Sequence, residues 1–152
     1  MKKLFSLLTL SLSLLVFGCH DHDHDHNHAC THFEHTSGAV TVQAGADTES
    51  PPRLNQHTLY RLNLLAHDSG YVGYVAVVID EAATLAFYTP NDAVLTNVNE
   101  NSQLTSEVVK ACDLYEHKAS AHAVGTMIIK IAAQTESILL AVEKETDDHD
   151  HT

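Results

Sequence analysis

The chain has 152 residues, 18% of them charged, and a formal net charge of −12 with its 13 histidines neutral. That length holds one domain with tails. The acidic balance, the absence of tryptophan and the lack of any basic patch exclude nucleic acid and anionic lipid surfaces as partners, and favour cations.

Residues 1–18 read as an export signal. Lys2 and Lys3 supply a short basic start, and Leu4 to Phe17 is apolar apart from small hydroxyl residues. This run is too short to cross a bilayer core comfortably. It ends in "LVFGC", which resembles a bacterial lipobox. The resemblance implies that Cys19 carries lipid and opens the mature chain. The alternative is an ordinary cleaved signal with Cys19 left as a free thiol. Losing Lys2 and Lys3 takes the formal charge from −12 to −14.

Residues 19–36 are histidine and acid with almost no apolar content. "CHDHDHDHNHACTHFEH" holds seven of the thirteen histidines: His20, His22, His24, His26, His28, His32 and His35. Such a segment is expected to be disordered without metal. Neutral imidazole is the commonest ligand for Zn²⁺ and suits other borderline ions, so all seven are candidate ligands. Zn²⁺ is the first choice, with Ni²⁺, Cu²⁺ and Co²⁺ as alternatives. In an extended chain, residues two apart stand about 6.8 Å from one another. Zinc takes nitrogens at about 2.0–2.1 Å, so the segment must curl around the ion. Asp21, Asp23 and Asp25 orient the rings or ligate directly, and they draw cations in. Metal needs the neutral ring, so filling should fall in acid. A solvated spacer would use Asp, Ser or Asn equally well, and the histidines need another reason.

With Cys19 assigned to lipid, Cys30 and Cys112 remain, an even pair in an exported, oxidising setting. A disulfide between them would contribute about 4–5 kcal/mol on the chain-entropy model. The competing reading makes Cys30 a thiolate ligand beside His32 and His35. Both cannot hold, because an oxidised sulfur is not a thiolate.

Residues 37–144 form the body, and they read mainly as strands. "AVTVQA" alternates at Val40, Val42 and Ala44, and "TLYRLNLLA" sets Tyr60, Leu62 and Leu64 against Arg61 and Asn63. "GYVGYVAVVID" is apolar on both faces, as in a central strand, and Asp80 ends it. "ATLAFYT" alternates at Leu85 and Phe87, and "AVLTNV" is a short candidate. "TMIIKIAA" and "SILLAVEKE" close the set, the last alternating at Ile138, Leu140 and Val142. Turn residues at 67–70, 89–92, 99–101 and 134–137 separate them. The stretch 103–118 has helical propensity but is read as strand or turn, because the rest is all-β. Seven or eight short strands at this spacing predict a small antiparallel β-sandwich with disordered His/Asp-rich tails.

Residues 145–152, "ETDDHDHT", return to acid and histidine, and His149 and His151 join the candidate ligands. His57, His67, His117 and His122 lie near predicted turns and read as surface residues. Tyr71, Tyr74 and Tyr88 read as core or edge packing. No nucleophile elbow, zinc-protease helix, P-loop or dinucleotide fingerprint is present, so a non-enzymatic role is expected.

The segment "HAVGTMIIKIAAQTESILLAVEK" resembles the closing hairpin of pre-peptidase C-terminal β-sandwich domains of secreted bacterial proteins. The lipobox, the histidine run, the sandwich body and the acidic tail together resemble bacterial His-rich metal-binding lipoproteins. That resemblance implies a fold class and a metal role, not a reaction. The expected protein is an exported lipoprotein held by its N-terminal lipid, in the outer membrane facing the periplasm or at the cell surface. It buffers zinc or delivers it to a metal transporter or that transporter's binding protein. The alternative is a structural or adhesion-type sandwich on a polar stalk, with metal binding incidental.

Overall fold

The computed structural model describes residues 24–90 and 92–145, with the side chains of 24–27 left aside. One helix, α1 (His24–Glu34), precedes twelve strands. In chain order these are β1 (Val40–Gln43), β2 (Arg53–Leu54), β3 (Thr58–Asn63), β4 (Leu65–His67), β5 (Gly70–Ile79) and β6 (Ala83–Thr89). They continue as β7 (Val94–Asn97), β8 (Ser102–Gln103), β9 (Thr105–Val109), β10 (Leu114–Ala121), β11 (Gly125–Ala133) and β12 (Ser137–Glu145).

The strands form a β-sandwich. One sheet runs β1-β3-β12-β6-β10-β9, and the other runs β2-β5-β11-β7-β8 with β4 beside β5. Between them lie Leu62, Val75, Val77, Leu85, Phe87, Leu95, Ile129, Ile131, Ile138, Leu140 and Val142, all buried in one cluster. The alternation read at Tyr60, Leu62 and Leu64 and at Ile138, Leu140 and Val142 is therefore the inward face of the first sheet. The strand read as central, β5, lies between β2 and β11.

Two details differ from the sequence expectation. "TLYRLNLLA" is two strands in different sheets, β3 and β4, with the crossover at Leu64, whose N–H donates to the Glu136 carbonyl at 2.7 Å. The sandwich is antiparallel except at β1–β3 and β2–β5, which pair in parallel. Each of those short strands reaches its partner only after the chain has passed through another element, so no hairpin sets its direction. The stretch 103–118 is strand and turn, as expected: β9 and β10 pair around residues 110–113, where Asp113 takes a left-handed φ of 53°.

The largest difference is the histidine segment. Expected to be disordered without metal, it forms α1 over residues 24–34. The helix covers a second apolar patch on the outward face of the first sheet. Ala29 is fully buried there with Leu59, Ala86, Tyr88, Leu114 and Ala141, and Cys30 and Phe33 pack against them. A disulfide joins Cys30 to Cys112, with Cα atoms 5.7 Å apart. The few apolar residues of the segment, spaced on one helical face and tethered covalently, find a surface already built for them. Among the described residues, no helix is long and apolar enough to cross a membrane.

Candidate metal centre

Helix geometry places residues four apart on one face, one turn apart. His28 and His32 have that spacing, and their ring centroids are 5.1 Å apart. Ala29 and Cys30 seat the helix on the sheet, so this pair stands over the end of β12. In β12, Ala141 faces outward beneath the helix, and Glu143, two residues on, shares that face. The cross-strand neighbour of Glu143 is Ala86, which offers no polar group.

Glu143 is therefore a carboxylate in an apolar seam, its side chain 9% exposed. Its Oε1 lies 3.0 Å from His32 Nε2, and its Oε2 lies 3.9 Å from His28 Nδ1. His57 Nδ1 contacts the same Oε2 from the turn before β3. One ligand atom each from His28, His32 and Glu143 falls within 4.8 Å of the other two.

His32 Nε2 and Glu143 Oε1 are both shielded from solvent, yet neither has a hydrogen-bond partner. Their separation suits a hydrogen bond, but the direction does not: a proton on Nε2 would not point at Oε1. Leaving such atoms unsatisfied is costly. Two lone pairs converging on one spot fit a shared cation. Ligands at 2.0–2.1 Å around a tetrahedral zinc stand about 3.3 Å from each other. The donor set, imidazole with carboxylate, suits zinc and its neighbours better than calcium or magnesium, which prefer oxygen alone.

Of the nine histidines read as ligands, the fold brings His28 and His32 together. His35 is exposed beyond the helix end and outside the cluster. His24 and His26 lie on the backbone of α1, with their side chains outside the described residues. Cys19, His20, His22, His149 and His151 lie outside them altogether. The disulfide removes Cys30 from the ligand set, so the thiolate alternative fails.

Sequence reasoning missed Glu143 and His57. Glu143 was given no role in the last strand, where only Ile138, Leu140 and Val142 were marked, and His57 was read as a surface residue. The four-residue spacing of His28 and His32 was visible, but only a helix gives it meaning. His57 is exposed, as read, but His117 was misread as a surface residue. It is 1% exposed, pairs with Phe87 in the inward register and has neither ring nitrogen hydrogen-bonded. Burial lowers its pKa, and the charge of Asp92 only partly offsets this. Of its neighbours, Lys118 would have its pKa lowered by burial, but Glu145 and Glu116 outweigh that and hold it raised.

The chain is similar to a pre-peptidase C-terminal domain, that of a collagenase from Bacillus anthracis. The likeness covers 65% of this chain and all of that one, at 12% identity and a TM-score of 0.45. No family model and no curated protein matches the chain.

Proposed function

We propose that this protein is a lipid-anchored, extracytoplasmic binder of transition-metal ions, zinc first among them, that buffers the ion or delivers it to a transporter. The observation that carries the reading is the buried pair His32 Nε2 and Glu143 Oε1, 3.0 Å apart and without hydrogen bonds, with His28 beside them. The alternating histidines of 20–26 support it from the sequence. His24 and His26 belong to the helix that carries the centre, and His20 and His22 precede it in sequence, so further candidate ligands adjoin the cluster.

The role proposed is binding rather than catalysis, since the sequence carries no nucleophile elbow, zinc-protease helix, P-loop or dinucleotide fingerprint. The lipobox-like "LVFGC" and the disulfide support an exported, oxidising location.

Isothermal titration of zinc into the mature chain, with Cys19 replaced by Ser, tests the proposal. Micromolar or tighter binding that weakens in His28→Ala and His32→Ala is the expected result. Absence of binding would leave the sandwich as a structural or adhesion module on a polar stalk.

A further inference from the structure

Glu143 is approached from three sides, by His28 and His32 on the helix and by His57 from the turn between β2 and β3. We propose that His57 is the fourth ligand, so that three imidazoles and one carboxylate enclose a single zinc-type cation and leave no position open to substrate. This rests on the metal-binding reading above and extends it to a closed site.

The backbone at His57 is the first argument. Its φ is 57°, in the left-handed region that non-glycine residues seldom occupy. Its N–H donates to the Val142 carbonyl at 2.9 Å, which fixes the residue one position from Glu143 in the adjoining strand. A glycine would hold this turn with less strain. A histidine there presents a ring to Glu143 that glycine would not.

The second argument is the division of the carboxylate. His32 faces Oε1, while His57 and His28 face Oε2. The His28 and His57 rings are 5.9 Å apart and nearly perpendicular. The rings therefore approach Glu143 from different directions; the ligand atoms of His28, His32 and Glu143 already lie within 4.8 Å of one another, and His57 joins them by turning its ring toward that spot.

The third argument concerns exposure. The His32 side chain is 22% exposed, whereas that of His57 is 60% exposed. His32 and Glu143 are held in place by the docked helix and the sheet. His57 stands on the solvent side, where rotation of its side chain would carry the ring between Glu143 and solvent. It is placed to close the site after an ion has entered.

The donor set that results is three nitrogens and one oxygen, with no sulfur, because Cys30 is in the disulfide. A site with four protein ligands is of the closed type, whereas catalytic zinc keeps a position for water. The closed form suits retention and slow release.

The test uses the mature chain with its disulfide formed and with His20, His22, His24, His26, His35, His149 and His151 changed to Asn, so that the centre is observed alone. His57→Asn tolerates the left-handed backbone, and His57→Gly is the second variant. Circular dichroism establishes that both fold. Zinc affinity should fall by about tenfold or more in both. The visible spectrum of bound Co²⁺ should change as water replaces nitrogen, and added imidazole should restore it. Weaker zinc binding with an unchanged cobalt spectrum would make His57 only an orienting partner of Glu143 and overturn the inference. Wild-type affinity in both variants would overturn it too. If the parent with His57 intact binds neither ion, the metal reading itself fails.

Discussion

His32 Nε2 and Glu143 Oε1 face each other at 3.0 Å across the seam between the N-terminal helix and the last strand. Neither atom is reached by solvent and neither is hydrogen-bonded. Apolar contacts and the Cys30–Cys112 disulfide hold the two elements against each other, so the pair is imposed by packing. A buried carboxylate without a counter-charge is destabilising. On the metal-binding proposal a bound cation would remove that cost, and metal affinity would be tied to the stability of the seam.

Glu143→Gln keeps the size of this side chain and removes its charge. Zinc should raise the unfolding temperature of the parent and have little effect on the variant. At free zinc of about 100 times Kd, the protection lost amounts to about 2.7 kcal/mol. Differential scanning calorimetry with and without zinc measures it. Equal protection in both proteins would take Glu143 out of the ligand set.

Changing His20, His22, His24, His26, His35, His149 and His151 to Asn should lower the number of zinc ions bound per chain and leave one, held by the centre. Calorimetric stoichiometry is the measurement. A parent that binds a single ion would show that the alternating run is not a store.

Cys112→Ser frees the helix from the sheet. The lost cross-link should cost about 2–5 kcal/mol, read from the urea midpoint. Zinc affinity should fall with it, since His28 and His32 flank Cys30 on the same helix. An affinity unaffected by the change would mean that the seam holds without the disulfide.

Chelator should leave the β-signal in circular dichroism unchanged. The inter-sheet core of Leu62, Phe87, Ile129 and Leu140 contains no candidate ligand, so the sandwich folds without metal. Loss of the β-signal in chelator would make the ion part of the core.

His117 should make the fold sensitive to acid. Its folded pKa is lowered by burial, while in the unfolded chain it titrates near the free value of about 6.5. As pH falls below about 6.5, the unfolded chain takes up the proton and the folded chain resists it, so stability declines until the folded pKa is passed. Above that window the contribution is constant. His117→Leu should flatten the fall in urea midpoint between pH 7 and pH 5. An identical slope in both proteins would show that His117 titrates alike in the two states.

The strand pattern was legible because alternation is local: Tyr60, Leu62 and Leu64 announce their buried face within one short stretch. The same holds for Ile138, Leu140 and Val142, for the sandwich class they build and for the even pair of cysteines. The candidate site was half legible. His28 and His32 stand out by residue type, but five neighbouring histidines stand out equally, and nothing local ranks them. Only the tertiary structure decided between them. Ala29 and Cys30 seat the helix on Leu59, Tyr88 and Ala141, and that contact carries His28 and His32 to Glu143 and His57. A periodic pattern records which side of an element is apolar, but not which distant element will cover it. Nothing local therefore marked Glu143, which the docked helix shields from water.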